Sequence, residues 1–530
     1  MADCRFNIDF RDIPSIPEML KDYLDGNLSA YHGLQFSKDN ALVQANKKSR
    51  NYPSGHREVL TEVLTKQMRN IAISAKQMQN IELLRKENTF TVTTGHQLNL
   101  FTGPVFFIYK ILQTIKTAKY LNENNEGKNF VPVFWMATED HDFDEINHFK
   151  TEGNFYQIQE KSDGAVGRIK SSDLSFLDIF EKEFKDFTYG TELVRWAKEA
   201  YQEGRSLTLA TRILVNRIFG DSGLLILNGD DKKLKALAAP VFRKELLENS
   251  LYENSKETVD VLINKYGKVQ VNPREINLFY LRDDSRDRIE KTGRSYHVVD
   301  TEISFSEEEI LAELNTNPQR FSPNAVLRPA YQETVLPNII YIGGNAEIMY
   351  WLELKKFFEA IDVEFPILVP RNSLAFITEK TLRKIQKLDL CVENFFGNYQ
   401  EVVHSKLLGK TSLQPLLEEK EENIKSMFSE LKKQAETTDK TFGNLVAAEE
   451  VRQLKSFEKM HKRLLRAEKI VQADLYQRYN QLYEVVNPAG VWQERKINFS
   501  NFYAENGRDW LNTCYENIEV AHPELTVVVL

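Results

Sequence analysis

The sequence predicts an α/β protein: a split, doubly wound parallel core with inserted subdomains and a C-terminal antiparallel helical coiled-coil arm. Three observations predict it. First, a β-branched run at 90–94 and the continuous apolar run "VPVFWMA" (131–137) flank an aromatic-rich helical segment. Strand, helix and strand in that order make a right-handed crossover unit, which requires a parallel sheet. Second, "NIIYIGG" (338–344) and "FPILVPR" (365–371) flank "NAEIMYWLELKKFFEAI", a second such unit far downstream. Third, residues 412–486 contain almost no Gly or Pro, and Leu417, Ile424 and Leu431 recur every seven positions, as in a coiled coil.

Taken in order, residues 1–55 are turn-rich. His56 to Glu87 reads as one long helix with Leu60, Val63, Leu64, Met68 and Ile71 on its buried stripe. Phe90 to Thr94 is a strand stopped at Gly95. Pro104 to Leu121 is a helix, with Pro104 in the first turn, where no N–H is needed. Val131 to Ala137 is a strand buried on both faces. "GLLILNGDD" (223–231) adds a strand, and Lys233 to Leu247 a helix. "KVQVNPREINLFYLRDDSRDRIEKTGRSYHVV" alternates like antiparallel hairpins. In the arm, Leu454, Phe457, Leu464, Val471, Leu475 and Leu482, with His461 among them, continue the seam after a turn at "AETTDKTFGN". The expected divisions are 1–146, 147–220, 221–259, 260–322, 323–375, 376–486 and 487–530, the last ending in a short helical tail.

Composition narrows the function. The 530 residues carry a net charge of −8, which argues against sequence-blind binding to nucleic acid. No run of 18 apolar residues predicts a membrane span, and "MADCRFNIDFRDIPSI" has no apolar signal core, so a cytoplasmic protein is expected. Cys4, Cys391 and Cys514 are few and far apart and read as free thiols remote from any site.

In open α/β sheets ligands bind beyond the carboxyl ends of the strands. That rule selects Gly95, His96 and Gln97, and the loop "EDHDFDE" with Glu139, Asp140, His141, Asp142, Asp144 and Glu145. Thr102 and Gly103 precede a helix whose free N–H groups favour an anion. Carboxylates crowded beside an apolar strand need a cation, an amine-bearing substrate or basic partners. Metal binding, a solvated loop, and amine binding or general-base work all fit that loop, but no metal-ligand spacing is present, and no metal is expected. Arg328, Tyr331 and Gln332, the glycines Gly343 and Gly344, Glu347, and Arg371 sit at other strand ends. Arg328 and Arg371 suit carboxylate or phosphate.

"TTGHQLNLFTGPVFFIYKI", "PVFWMATEDHDFDEINH", "VLRPAYQETVLPNIIYIGGNAEIMYW" and "NPAGVWQERKINF", in this order, resemble the BshC family of bacillithiol biosynthesis. The resemblance implies a Rossmann-like core similar to that of class I aminoacyl-tRNA synthetases and a coiled coil that forms a homodimer. It implies a cysteine ligase joining L-cysteine to glucosaminyl malate through the sugar amine. ATP or another nucleotide would activate the carboxylate, with Gly95, Thr102 and Gly103 cradling phosphate. Residues 139–145 would hold an amine or take its proton, and Arg328 or Arg371 would meet malate. No KMSKS-like lysine motif is present, and His96 reads as a positioning group. A second ligand location is expected near the arm, at Trp492, Glu494, Arg495 and Asn498. The alternative is a nucleotide- or thiol-binding scaffold whose coiled coil recruits a catalytic partner.

Overall fold

Five parallel strands form the core sheet of the protein, which a computed structural model describes over residues 5–160, 164–435 and 437–530. Cys4 lies outside the described residues. The strands are β1 (Thr89–Gln97), β2 (Asn129–Ala137), β3 (Leu225–Asn228), β4 (Asn338–Gly343) and β5 (Ile367–Pro370), in the order β5-β4-β1-β2-β3. Both ends of the split core therefore meet at the β4–β1 pairing. The helix α1 (Phe106–Asn124) crosses from β1 to β2, and α2 (Lys232–Glu248) follows β3. Apolar side chains on both faces of β2 and β4 are buried, as continuous apolar runs demand.

Two expected boundaries are corrected. Gly95 does not end its strand: β1 stays paired with β2 through Gly95–Trp135, His96–Met136 and Gln97–Ala137. A glycine is tolerated there because its bare face leaves room for Arg328 and Tyr341. The long helix over 56–87 is two helices, Ser54–Met68 and Ala75–Leu84. Ser74 starts the second by accepting from the Gln77 N–H, while the Gln77 side chain accepts from the Ser74 N–H, a reciprocal cap that makes a new start favourable. Leu60, Val63, Leu64 and Met68 are buried as expected, and Ile71 is half-buried in the break.

The segment between β4 and β5 is likewise two short helices, α3 (Asn345–Trp351) and Lys355–Ala360. The expected hairpins form an antiparallel five-stranded sheet that includes Leu278–Leu281, Arg286–Thr292 and Ser295–Val298, although "KVQVNP" is outside it. The arm is α4 (Leu413–Ala435) and α5 (Lys440–Val471), continued by Ala473–Val486. Its small core holds Phe428, Ala435 and Val446 with Ile424. Leu431 and Val471, expected on the seam, are 43% and 78% exposed. An unstrained helix drifts off a strict seven-residue repeat by roughly 20° per heptad, and Phe428 takes the inward place. The expected helical tail is the helix Ser500–Glu516 followed by a strand, Glu524–Val529. That strand lies between Ser373–Ile377 and Arg5–Asp9 and brings residues 487–530 back against the core. Among the described residues no helix is long and apolar enough to cross a membrane.

Candidate functional site

A cavity of about 490 Å³ opens beyond the carboxyl ends of β1, β2, β4 and β5. Five cations line it (Lys110, Arg286, Arg328, Arg371 and Arg495) against three carboxylates, Glu139, Asp140 and Glu347. Strands in a sheet lie ~4.8 Å apart, so the β5 and β2 edges of the rim are separated by roughly 14 Å. The two edges have different chemistry.

The edge beneath β4 and β5 is basic. Lys110, buried in the second turn of α1, donates to the Gly95 carbonyl at 2.6 Å and to Glu347 Oε2 at 2.5 Å. Burial lowers the Lys110 pKa, and Glu347 opposes this. Burial works to raise Glu347, but Lys110, the Gly344 N–H and Arg328 outweigh it and hold the carboxyl below its usual range. Glu347 also accepts from Tyr341 Oη at 2.9 Å and from the Gly344 N–H at 2.7 Å. Arg328 donates to Tyr350 Oη at 3.1 Å and to Gln332 Oε1 at 2.8 Å. Arg371 is locked by Glu494 through two bonds of 2.7 Å, both residues being buried. Arg495, two positions after Gln493, lines the mouth; burial of its guanidinium lowers its pKa, with Arg371 adding to this and Glu494 opposing it.

The edge beyond β2 carries the acidic loop. Glu139 Oε2 accepts from the buried Lys235 Nζ at 2.6 Å. Asp140 Oδ2 accepts from Gln97 Nε2 at 2.7 Å, and Oδ1 accepts from the His141 N–H at 2.8 Å. Arg286, from the inserted sheet, donates to His141 Nδ1 at 3.0 Å. These cations answer the crowding that the loop sequence poses. Among the described residues no group of three or more His, Cys, Asp and Glu side chains is placed to hold a metal.

The other expected residues divide. Gly95, His96, Gln97, Tyr331 and Gly344 line the cavity. His96 stacks on Phe107, burial pushes its pKa down to about 3, and its shielded Nε2 has no hydrogen-bond partner. It is a neutral imidazole, unsuited to proton transfer near pH 7. Tyr331 is spent on the Gly229 carbonyl at 2.6 Å. Gln332 lies fully buried behind Arg328, and Gly343 closes β4, so neither reaches the cavity. His141, Asp142, Asp144 and Glu145 stand outside its lining. Asp142 precedes the short helix Phe143–Ile146, Asp144 accepts from Asn147, and Glu145 accepts from Gln97 on the exposed side.

Thr102 and Gly103 do not form an anion cradle. Phe101, Thr102 and Gly103 all have positive φ and are buried under residues 497–499. Asn498 Nδ2 donates to the Phe101 and Gly103 carbonyls at 2.9 and 2.6 Å, and the Val105 N–H donates to the Ile497 carbonyl at 2.8 Å. Protein groups thus cover the start of α1. The expected second location, Trp492, Glu494, Arg495 and Asn498, does not stand apart from this cavity among the described residues. Glu494 and Asn498 brace the cavity, Arg495 reaches its mouth, and Trp492 packs edge-on to Phe396.

Sequence reasoning missed Lys110, Lys235 and Arg286. Lys110 has a signal, a lone cation in the apolar helix run "FFIYKILQTI". Arg286, in a charged hairpin, has none.

The family described as "Bacillithiol biosynthesis BshC, N-terminal Rossmann-like domain" matches residues 7–372, and "Bacillithiol biosynthesis BshC, C-terminal coiled-coil domain" matches residues 374–530. A Flavobacterium johnsoniae protein named "Putative cysteine ligase BshC" is 40% identical over 100% of both chains. Proteins of that name from Flavobacterium psychrophilum, covering 98% of each chain, and Cytophaga hutchinsonii, covering 97% and 96%, are 40% and 35% identical.

Proposed function

The chain belongs to the bacillithiol biosynthesis BshC family, and from that membership we propose a cytoplasmic carbon–nitrogen ligase. It joins L-cysteine to glucosaminyl malate by an amide on the sugar amine, the last step of bacillithiol synthesis. The observation that carries this reading is the two-sided charge of the cavity. Its substrates present amines and carboxylates together, and the rim offers Asp140 at one edge and Arg328, Lys110, Arg371 and Arg495 at the other.

An amine does not condense with a free carboxylate at a useful rate, so the carboxylate must first acquire a leaving group. A nucleoside triphosphate, when bound, would supply that group by turning the cysteine carboxylate into a mixed anhydride, an acyl phosphate with release of the diphosphate or an acyl adenylate with release of pyrophosphate. The residues present fit an anion of this kind. Cations outnumber carboxylates around the cavity, and at Gly344 a Cβ would meet only the Glu347 side chain, at 3.5 Å. Arg328 and Arg495 would hold its phosphates in the room beside Gly344, while Lys110 holds the Gly95 carbonyl and Glu347 the Gly344 N–H. Glu139 is held by Lys235, which leaves Asp140 as the carboxylate open to an amine.

The full chain incubated with L-cysteine, glucosaminyl malate and ATP tests this. The expected result is a new thiol whose mass is the sum of both substrates less one water, with AMP or ADP formed in equal amount. Folded protein that yields no such thiol with any nucleoside triphosphate contradicts it.

The arm supports a homodimer. Leu413, Leu416, Met427 and Leu431 on α4 and Phe442 and Leu445 on α5 are exposed apolar side chains, and a two-helix arm needs a further surface to cover them. Sedimentation should give twice 61.6 kDa, and Met427→Glu with Leu431→Glu should return the monomer. A scaffold that recruits a catalytic partner would use the same surface. It would bind substrate yet form product only when cell extract is added.

A further inference from the structure

Arg286 is buried, at 8% exposure, yet it lines the cavity. Its guanidinium lies over the Phe279 ring, 4.0 Å from the centroid. Nε donates to Ser322 Oγ at 3.0 Å, Nη2 to the Pro323 carbonyl at 2.9 Å, and Nη1 to His141 Nδ1 at 3.0 Å. A guanidinium has five N–H donors in a rigid fork. Among the described residues these three bonds therefore leave one donor unspent on each terminal nitrogen. The nearest carboxylate oxygen, Asp140 Oδ1, is 3.8 Å from Nη1, beyond hydrogen-bond reach.

Asp140 is incomplete in the opposite sense. An ionised carboxylate accepts at about four lone-pair sites. Asp140 receives one bond on each oxygen, from the His141 N–H and from Gln97 Nε2. Two acceptor sites remain beside two unspent donors, and neither set satisfies the other. Arg286 is buried, and a buried charge left part-satisfied costs free energy unless a ligand or water completes it, whereas Asp140, 32% exposed, can be reached from the cavity. The complement of a cation and an anion side by side is a molecule with a carboxylate and an ammonium on one carbon, an α-amino acid zwitterion.

We propose that Arg286 and Asp140 form an amino-acid subsite of the cavity, Arg286 taking the α-carboxylate and Asp140 the α-ammonium. For the identity of the amino acid as cysteine this rests on the ligase reading above. The subsite sets the two substrates apart. The amino acid sits at the β2 edge, and the basic edge of Arg328, Arg371 and Arg495 is left to the anionic co-substrates. It also gives the inserted antiparallel sheet a task, since Arg286 reaches the core from that sheet.

Calorimetric titration of the full chain with L-cysteine, L-serine, cysteamine and 3-mercaptopropionate tests it. Cysteamine lacks the carboxylate and 3-mercaptopropionate lacks the ammonium. The expected result is that each binds at least tenfold more weakly than L-cysteine, while L-serine, a complete zwitterion, binds better than either. Arg286→Gln and Asp140→Asn should each weaken L-cysteine at least tenfold and glucosaminyl malate less than threefold, and Arg286→Lys should recover part of the loss. Equal binding of cysteamine and L-cysteine by the unaltered protein overturns the subsite, whether or not the variants fold. So does undiminished cysteine affinity in folded Asp140→Asn, or no binding of either amino acid. Thiol product from the unaltered protein together with undiminished affinity in the variants would remove the subsite and leave the ligase standing. Zwitterion binding lost in both variants, with no product from the unaltered protein, would keep the subsite and remove the ligase.

Discussion

Gly103 and Gly344 hold the same formal position, between a core strand and the helix after it, and have opposite surroundings. Gly103 sits at φ +65°, and a Cβ there would come within 2.7 Å of Asn99 Cβ. Asn498 and Ile497 cover the turn and use its backbone groups. Gly344 sits at φ −69° at the cavity, with only the Glu347 carboxylate near its missing Cβ. One glycine serves the chain's own geometry; the other, its N–H held by Glu347, leaves the space of a missing side chain open to a ligand. The local sequence makes both candidate ligand positions at strand ends. A segment almost four hundred residues downstream decides between them by packing on the first.

The largest test breaks the segment that makes this difference. Glu494→Ala leaves Arg371 buried without its partner, which typically costs about 3–5 kcal/mol, and chemical unfolding should show a loss of that order. A loss below ~1 kcal/mol would mean residues 487–499 do not brace the cavity floor. Gly103→Ala should cost about 1–3 kcal/mol from backbone strain and crowding, with ligand affinity unchanged in the folded fraction. Reduced affinity without lost stability would return the anion role to that turn.

His96, next to last in β1, lines the cavity and offers a pH test. Its folded-state pKa of about 3 is below the ordinary 6.5. The unfolded chain therefore takes up a proton that the folded protein refuses. The contribution is complete above pH 6.5 and is lost as pH falls toward 3, by up to about 1.4 kcal/mol per pH unit. His96→Gln removes it, so urea unfolding of protein and variant should converge between pH 7 and pH 5. Parallel pH curves would mean the imidazole titrates normally. The smallest stability effect belongs to Gly344→Ala, under ~1 kcal/mol, yet it should weaken nucleotide at least tenfold. An unaltered nucleotide affinity would erase the contrast with Gly103.

The parallel sheet was legible because "VPVFWMA" and "NIIYIGG" are continuous apolar runs, which only strands buried on both faces require. A glycine such as Gly95 reads locally as a stop, whereas its pairing with Trp135 is settled across the sheet. The break at Ser74 hides inside an unbroken helical pattern, although the Ser74–Gln77 spacing is its signature. In the site, crowding of residues 139–145 pointed to basic partners without naming them. Lys235 and Arg286 arrive from other elements, and no local pattern ties them to the loop. The heptads gave the arm and part of its inward face, Ile424 and Leu482, but at Leu431 a drifting seam puts Phe428 inward instead.

The central claim, that the strand-end cavity performs the ligation, is tested most directly by product mass spectrometry on the full chain beside Arg328→Met and Asp140→Asn. Thermal unfolding should first establish that both variants are folded. With L-cysteine, glucosaminyl malate and ATP, the account predicts the amide thiol from the unaltered protein and at least a hundredfold less from each variant. Undiminished product from both folded variants would contradict it.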